Sequence, residues 1–170
     1  PEVLGWEASN PLVGRSYLLT SEIPGRPLAP EDPAARVRDV LLEAGYELSI
    51  LNSIGVQGFG WIVRTPEAAD PLRAEHPTSP SFLAEYLDTD LALLAASVFI
   101  PPDVDALRRC LDDHAGWFYA PEARLAHGDF DTTPILHADG RYTGIIDFSE
   151  VRGTGGLYDL GHFHLHEGHR

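Results

Sequence analysis

The chain has no methionine and no lysine, and its single cysteine is Cys110. One thiol excludes an intrachain disulfide and points to a reducing, cytoplasmic setting. Because position 1 is not Met, translation is expected to start upstream of Pro1. All twelve basic residues are arginine, which suits an Arg-over-Lys coding bias. Also missing is any apolar run near the roughly 20 residues that cross a bilayer. The longest, Leu91 to Ile100, is interrupted by Ser97 and flanked by Asp88 and Asp90, so it reads as a core helix and no membrane partner is expected. Pro1 to Trp6 has no basic segment ahead of an apolar one, so no signal peptide is expected.

With 170 residues, 44% hydrophobic and 22% charged, the chain can bury one real core. Its net charge of −14 would repel polyphosphate surfaces, which excludes nucleic acid as a partner. An acidic surface suits a cationic small substrate, and it serves solubility alone equally well.

Val3 to Ala8 and Ser16 to Ile23 read as two strands joined by a turn. After the Pro24-Gly25-Arg26-Pro27 break, Val37, Val40, Leu41 and Ala44 recur at helical spacing, predicting a helix from about Pro33 to Asn52. Gly55 to Gly60 and Asp70 to Pro80 read as connecting loops. Ser81 is expected to cap a long helix that Pro101-Pro102 stops, and Asp103 to open another through about His114. Short apolar runs follow at Leu125-Ala126, Ile135 to His137 and Tyr142 to Phe148, with the hairpin dipeptide Asp139-Gly140 between the last two. Leu157 to His166 reads as a final helix.

Chemistry concentrates in the strand ends. His127-Gly128-Asp129 closes one short strand, where glycine permits a tight turn that projects Asp129. Ile145-Ile146-Asp147-Phe148 places a second carboxylate at the end of an apolar strand, eighteen residues on. If those two strands pair, the carboxylates converge. Two such acids suit phosphoryl transfer, one orienting the hydroxyl proton and the other holding Mg²⁺ against nucleotide phosphates. Taken singly, each acid is equally explained as a turn cap or a strand end.

The whole string, Leu125 to Leu136 with His127-Gly128-Asp129, then Gly140 to Phe148 with Asp147, then Leu157-Tyr158-Asp159-Leu160, resembles the aminoglycoside phosphotransferase and choline kinase family. Upstream, Tyr17 to Leu28 looks like that family's hinge strand and the Pro-Gly turn after it. The resemblance implies an α+β, protein-kinase-like fold: mainly a helical C-terminal lobe, with a short N-terminal β-ribbon and a catalytic β-hairpin. It implies an ATP- or GTP-dependent O-phosphotransferase that moves the γ-phosphoryl group to a hydroxyl of a small, cationic substrate with the aid of Mg²⁺. By position, Asp129 matches the catalytic aspartate and Asp147 the metal-binding aspartate, with Ser149 where glycine is common. His127 and Asp159 match residues that support the catalytic loop. Ser21 and Ile23 match hinge positions whose backbone bonds adenine.

The sequence departs from that pattern at Pro134, where the family carries Asn, or at times His, as a metal ligand. Asp131 is the best substitute, since a carboxylate suits a hard cation. Its alternative is a solvated turn acid. No Gly-rich phosphate loop and no lysine is present, so residues 1–28 are expected to be a remnant of the N-terminal lobe and hinge, and residues 29–170 the helical lobe. Positioning and charge neutralisation carry most of this chemistry, which leaves a non-catalytic ligand-binding relative, or an inactive fragment, as the alternative. A rival from another class is metal binding by His162, His164, His166 and His169, although no cysteine or acid is spaced to complete a closed site.

Overall fold

The computed structural model describes residues 1–65 and 71–168. They divide into two compact units, Pro1–Glu47 with Asp131–Asp147, and Leu48–Phe130 with Phe148–Arg170. The architecture is α+β, and among the described residues no helix is long and apolar enough to cross a membrane.

In the first unit, β1 (Val3–Asn10) and β2 (Arg15–Thr20) form an antiparallel ribbon. Asn10 closes its turn by accepting the amides of Leu12 and Val13 on Oδ1. A second sheet has β3 (Arg26–Pro27) beside β8 (Ile135–Ala138), which pairs with β9 (Arg141–Ile145). Asp139 and Gly140 join β8 to β9 with φ of 52° and 79°, the left-handed pair that a two-residue turn requires and that Asp-Gly supplies at small cost. Helix α1 (Ala34–Leu51) buries Val40, Ala44 and Leu48 at four-residue spacing, and it carries the chain from the first unit into the second.

The second unit is built on a five-stranded sheet in the order β4 (Gly55–Val56), β7 (Ala123–Ala126), β10 (Arg152–Thr154), β5 (Phe59–Ile62), β6 (Ala74–His76). Three of these strands lie in segments expected to be loops, Gly55 to Gly60 and Asp70 to Pro80. Strands of two to four residues, two of them carrying a glycine, show too little alternation to register as a pattern. Asp70 itself lies outside the described residues. Val56, Phe59 and Ala123 form the core of this sheet, and Leu72, Phe82 and Leu125 pack against it. Each large apolar side chain buried there contributes about 1.5–3 kcal/mol.

Helix α2 (Ser79–Ser97) starts three residues earlier than expected. Its cap is Thr78, whose Oγ accepts the Ser81 amide while Ser81 Oγ accepts the Thr78 amide, so Ser81 closes a capping box from the third helical position. Pro101-Pro102 opens α3 (Pro101–Asp113), since proline suits a first turn that leaves amides unpaired anyway. The last helix, α4 (Tyr158–Glu167), follows β10 through Gly155-Gly156.

Candidate functional site

In the second unit, β7 runs directly into His127-Gly128-Asp129-Phe130. Asp159, in the first turn of α4, is 1% exposed and holds this loop by its backbone. One carboxylate oxygen accepts the His127 amide at 2.9 Å and Asn52 Nδ2 at 3.2 Å, and the other accepts the Gly128 amide at 2.9 Å. Three donors on one buried carboxylate satisfy the charge that burial would otherwise penalise. Asn52, just past the end of α1, also donates to the Leu125 carbonyl at 2.9 Å, tying β7 to the same point.

Gly128 has φ of 92°, and a Cβ there would stand 1.9 Å from the Glu150 carbonyl oxygen, so only glycine fits. The fully buried His127 ring packs on Phe148 at 4.8 Å and on Phe130 at 5.9 Å between centroids. With its backbone and both neighbours held, the loop leaves the Asp129 side chain 55% exposed. The His162 ring lies beside it, with Nε2 3.5 Å from Asp129 Oδ1 and Nδ1 3.1 Å from the Phe130 carbonyl oxygen. Arg152 supports the far side of the turn. Its guanidinium donates to the Glu150 carboxylate at 2.7 Å and to Tyr158 Oη at 3.1 Å, and lies 4.3 Å from the centre of the Trp61 ring.

The remaining sequence-derived site residues belong to the first unit. Asp147 follows β9 in the left-handed region, with φ of 63°, a conformation that costs a non-glycine residue about 1–3 kcal/mol and that gathers at functional positions. Its side chain is exposed. The Ile146 amide just before it donates to the Pro134 carbonyl at 3.0 Å, carrying the β8–β9 pairing to the edge of Asp147. Asp131 accepts the Thr133 amide on Oδ1 at 2.6 Å, a local turn that occupies one of its two oxygens. The Ser21 amide donates to the Glu2 carbonyl, and Ser21 Oγ accepts the Glu2 amide, both at 2.8 Å. Ile23 packs on Gly144 of β9, where a Cβ would come within 2.9 Å of Ile23 Cδ1.

The strands behind the two acids do not pair with each other. β7, leading to Asp129, lies between β4 and β10, whereas β9, leading to Asp147, pairs with β8. Sequence reasoning passed over Asn52 and His162 as partners of the loop. Asn52 reads as an ordinary helix end, and His162 as one of a run of C-terminal histidines. Of that run, His162 and His166 stack at 4.4 Å on α4, and His169 lies outside the described residues.

A model of the phosphotransferase enzyme family covers residues 1–168. The chain belongs to that family. Among solved structures, a thermostable mutant of the aminoglycoside phosphotransferase APH(4)-Ia in ternary complex with ADP and hygromycin B is similar at 21% identity and a TM-score of 0.63, over 95% of this chain and 53% of that one. A macrolide 2′-phosphotransferase type I is similar at 18% identity and a TM-score of 0.52, over 91% of this chain and 50% of that one. A protein of Thermobifida fusca YX-ER1 described as a fructosamine-3-kinase shares 26% identity at a TM-score of 0.58, over 97% of this chain and 53% of that one. Curated sequences give no match. The phosphotransferase family chain thus has the α+β, kinase-like fold of these structures, and it spans about half their length.

Proposed function

We propose that the chain carries the catalytic machinery of a small-molecule O-phosphotransferase, which uses ATP or GTP and Mg²⁺ to place a γ-phosphoryl group on a substrate hydroxyl. Asp129 is the base that accepts or orients the hydroxyl proton. The observation that supports this most is its setting, an exposed carboxylate on a loop whose backbone Asp159 grips at two successive amides. Fixing the base before substrate arrives is worth more to this reaction than any covalent chemistry, because phosphoryl transfer depends on positioning and charge. His127 and Asp159 are the positioning residues, and main-chain groups around Ser21 and Ile23 receive the adenine. The net charge of −14 favours a cationic acceptor.

The donor chemistry fits Mg²⁺, a hard cation that takes oxygen ligands. Asp147 offers an exposed carboxylate, and Asp131, with Oδ1 engaged by Thr133, offers Oδ2. When bound, the ion would offset charge on the nucleotide phosphates. The test is phosphoryl transfer from ATP or GTP by the intact gene product across a panel of amine-bearing alcohols. Asp129→Asn is expected to lower turnover by about 10²–10⁴-fold with nucleotide affinity nearly unchanged. Equal turnover in Asp129→Asn and the parent overturns the assignment.

One observation favours a second reading, ligand binding without turnover. Pro134, at the position expected to supply a metal ligand, is buried and offers only a backbone carbonyl, which already accepts the Ile146 amide. A protein that binds acceptor and nucleotide but transfers no phosphate, with or without Asp129, would establish that reading.

A further inference from the structure

Away from the catalytic loop, three metal-ligating side chains meet where β6 passes into α2. Glu75 and His76 end the strand and Glu85 stands in the second turn of the helix. One ligand atom from each lies within 4.8 Å of the other two, and His76 Nε2 is 2.8 Å from Glu85 Oε2. We infer that Glu75, His76 and Glu85 form a binding site for a divalent transition-metal ion, Zn²⁺ foremost, separate from the Mg²⁺ chemistry of phosphoryl transfer.

The argument starts from ligand spacing. Donor atoms about 2.0–2.2 Å from a shared Zn²⁺ lie roughly 3.0–3.5 Å from one another. His76 and Glu85 are already near that separation, and Glu75, an exposed side chain, needs only a rotamer adjustment to complete three ligands. The imidazole is held in place. His76 packs on the Phe82 ring at 5.8 Å between centroids, and its Cδ2 lies 3.0 Å from where a Cβ on Gly60 would stand. Glu85 is positioned by the capping box of Thr78 and Ser81, which sets where α2 begins, three residues after His76.

Charge and donor type narrow the ion. Two carboxylates face one imidazole, so even a protonated histidine leaves excess negative charge that a divalent cation would balance. An imidazole nitrogen among the ligands favours Zn²⁺ and its transition-metal neighbours over Mg²⁺ and Ca²⁺, which prefer oxygen alone. Three protein ligands leave at least one position for water. The bound ion would tie the sheet edge at β6 to α2.

The test is calorimetric titration of Zn²⁺ into the chelator-treated 170-residue chain in excess Mg²⁺, with Co²⁺ absorption as the spectroscopic check. One Zn²⁺ is expected to bind despite the Mg²⁺. Glu75→Gln and Glu85→Gln should each weaken it at least about tenfold, and His76→Gln should also abolish the Co²⁺ ligand-field band. A His164→Ala/His166→Ala variant, which removes two of the four competing C-terminal imidazoles, should bind as tightly as the parent. Glu75 is exposed, so its variant keeps the fold, and circular dichroism verifies this for all. Absence of Zn²⁺ binding, or undiminished affinity in Glu75→Gln and Glu85→Gln, overturns the site and leaves His76–Glu85 as an ion pair only.

Discussion

His162 Nε2 lies 3.5 Å from Asp129 Oδ1 while the other nitrogen of the same ring, Nδ1, lies 3.1 Å from the Phe130 carbonyl oxygen. A carbonyl only accepts, so Nδ1 carries a proton and Nε2 is the nitrogen turned to the carboxylate. The ring thus spans the two residues that end the loop, and it limits where the Asp129 side chain can swing. His162→Ala is expected to lower kcat about tenfold with little change in nucleotide KM, because a loosened base loses orientation rather than affinity. His162→Gln, which retains an amide donor, should recover part of the loss. Steady-state kinetics on the intact protein checks this, and a parental kcat in His162→Ala removes His162 from the positioning set.

Asp159→Asn tests the clamp. An asparagine oxygen can serve one side of the acid, but its amide nitrogen then faces donors, either the Gly128 amide or the His127 amide with Asn52. A donor set against buried donors is expected to cost about 2–3 kcal/mol. Scanning calorimetry should show a fall in Tm of about 5–10 °C for a chain of this size. Turnover should fall as well, because the loop that carries Asp129 is no longer fixed.

Asp147→Gly separates backbone strain from ligand chemistry. Glycine accepts φ of 63° without the penalty an L side chain meets, so stability should remain within about 1 kcal/mol of the parent. Loss of the carboxylate should abolish Mg²⁺-dependent nucleotide binding. Nucleotide affinity measured with and without Mg²⁺ decides, and an unchanged Mg²⁺ effect would place the metal ligand elsewhere.

Pro134→Asn should raise apparent Mg²⁺ affinity about three- to tenfold, since it adds a carbonyl ligand and keeps the backbone oxygen that receives Ile146. If Asp131→Ala weakens Mg²⁺ strongly while Pro134→Asn does nothing, Asp131 already holds the ligand role. If neither variant changes the Mg²⁺ requirement, the second ligand does not come from this loop.

Acid sensitivity should track Asp32. Its hydrogen bond with Arg26, then the Ala29 amide at 2.8 Å, hold its carboxyl far below the usual carboxylate range, with nearby His137 adding to the effect. A depressed folded-state pKa means that the unfolded chain binds the extra proton, so this stabilisation is complete above about pH 4 and is lost as pH falls below it. Asp32→Asn should lower stability at neutral pH and flatten the decline below pH 4 in denaturant titrations.

The parts of this protein legible in its sequence are those where one local rule decides the outcome. Asp139-Gly140 specifies a two-residue hairpin because few residues accept left-handed φ twice in succession, and the four-residue spacing of Val40, Ala44 and Leu48 is helical whatever surrounds it. His127-Gly128-Asp129 and Asp147 were visible as motifs for a related reason, since steric demand at Gly128 and the chemistry of the acids each restrict a position to one residue type. Tertiary structure alone decided the rest. The five-stranded sheet is assembled from strands of two to four residues whose pairing is long-range, so no periodicity announces it. The same holds for Asn52 against Asp159, 107 residues apart, and for His162 against Asp129. Which polar side chains meet depends on how the chain closes on itself, and hydrogen bonds between distant residues leave no mark on the spacing of either partner.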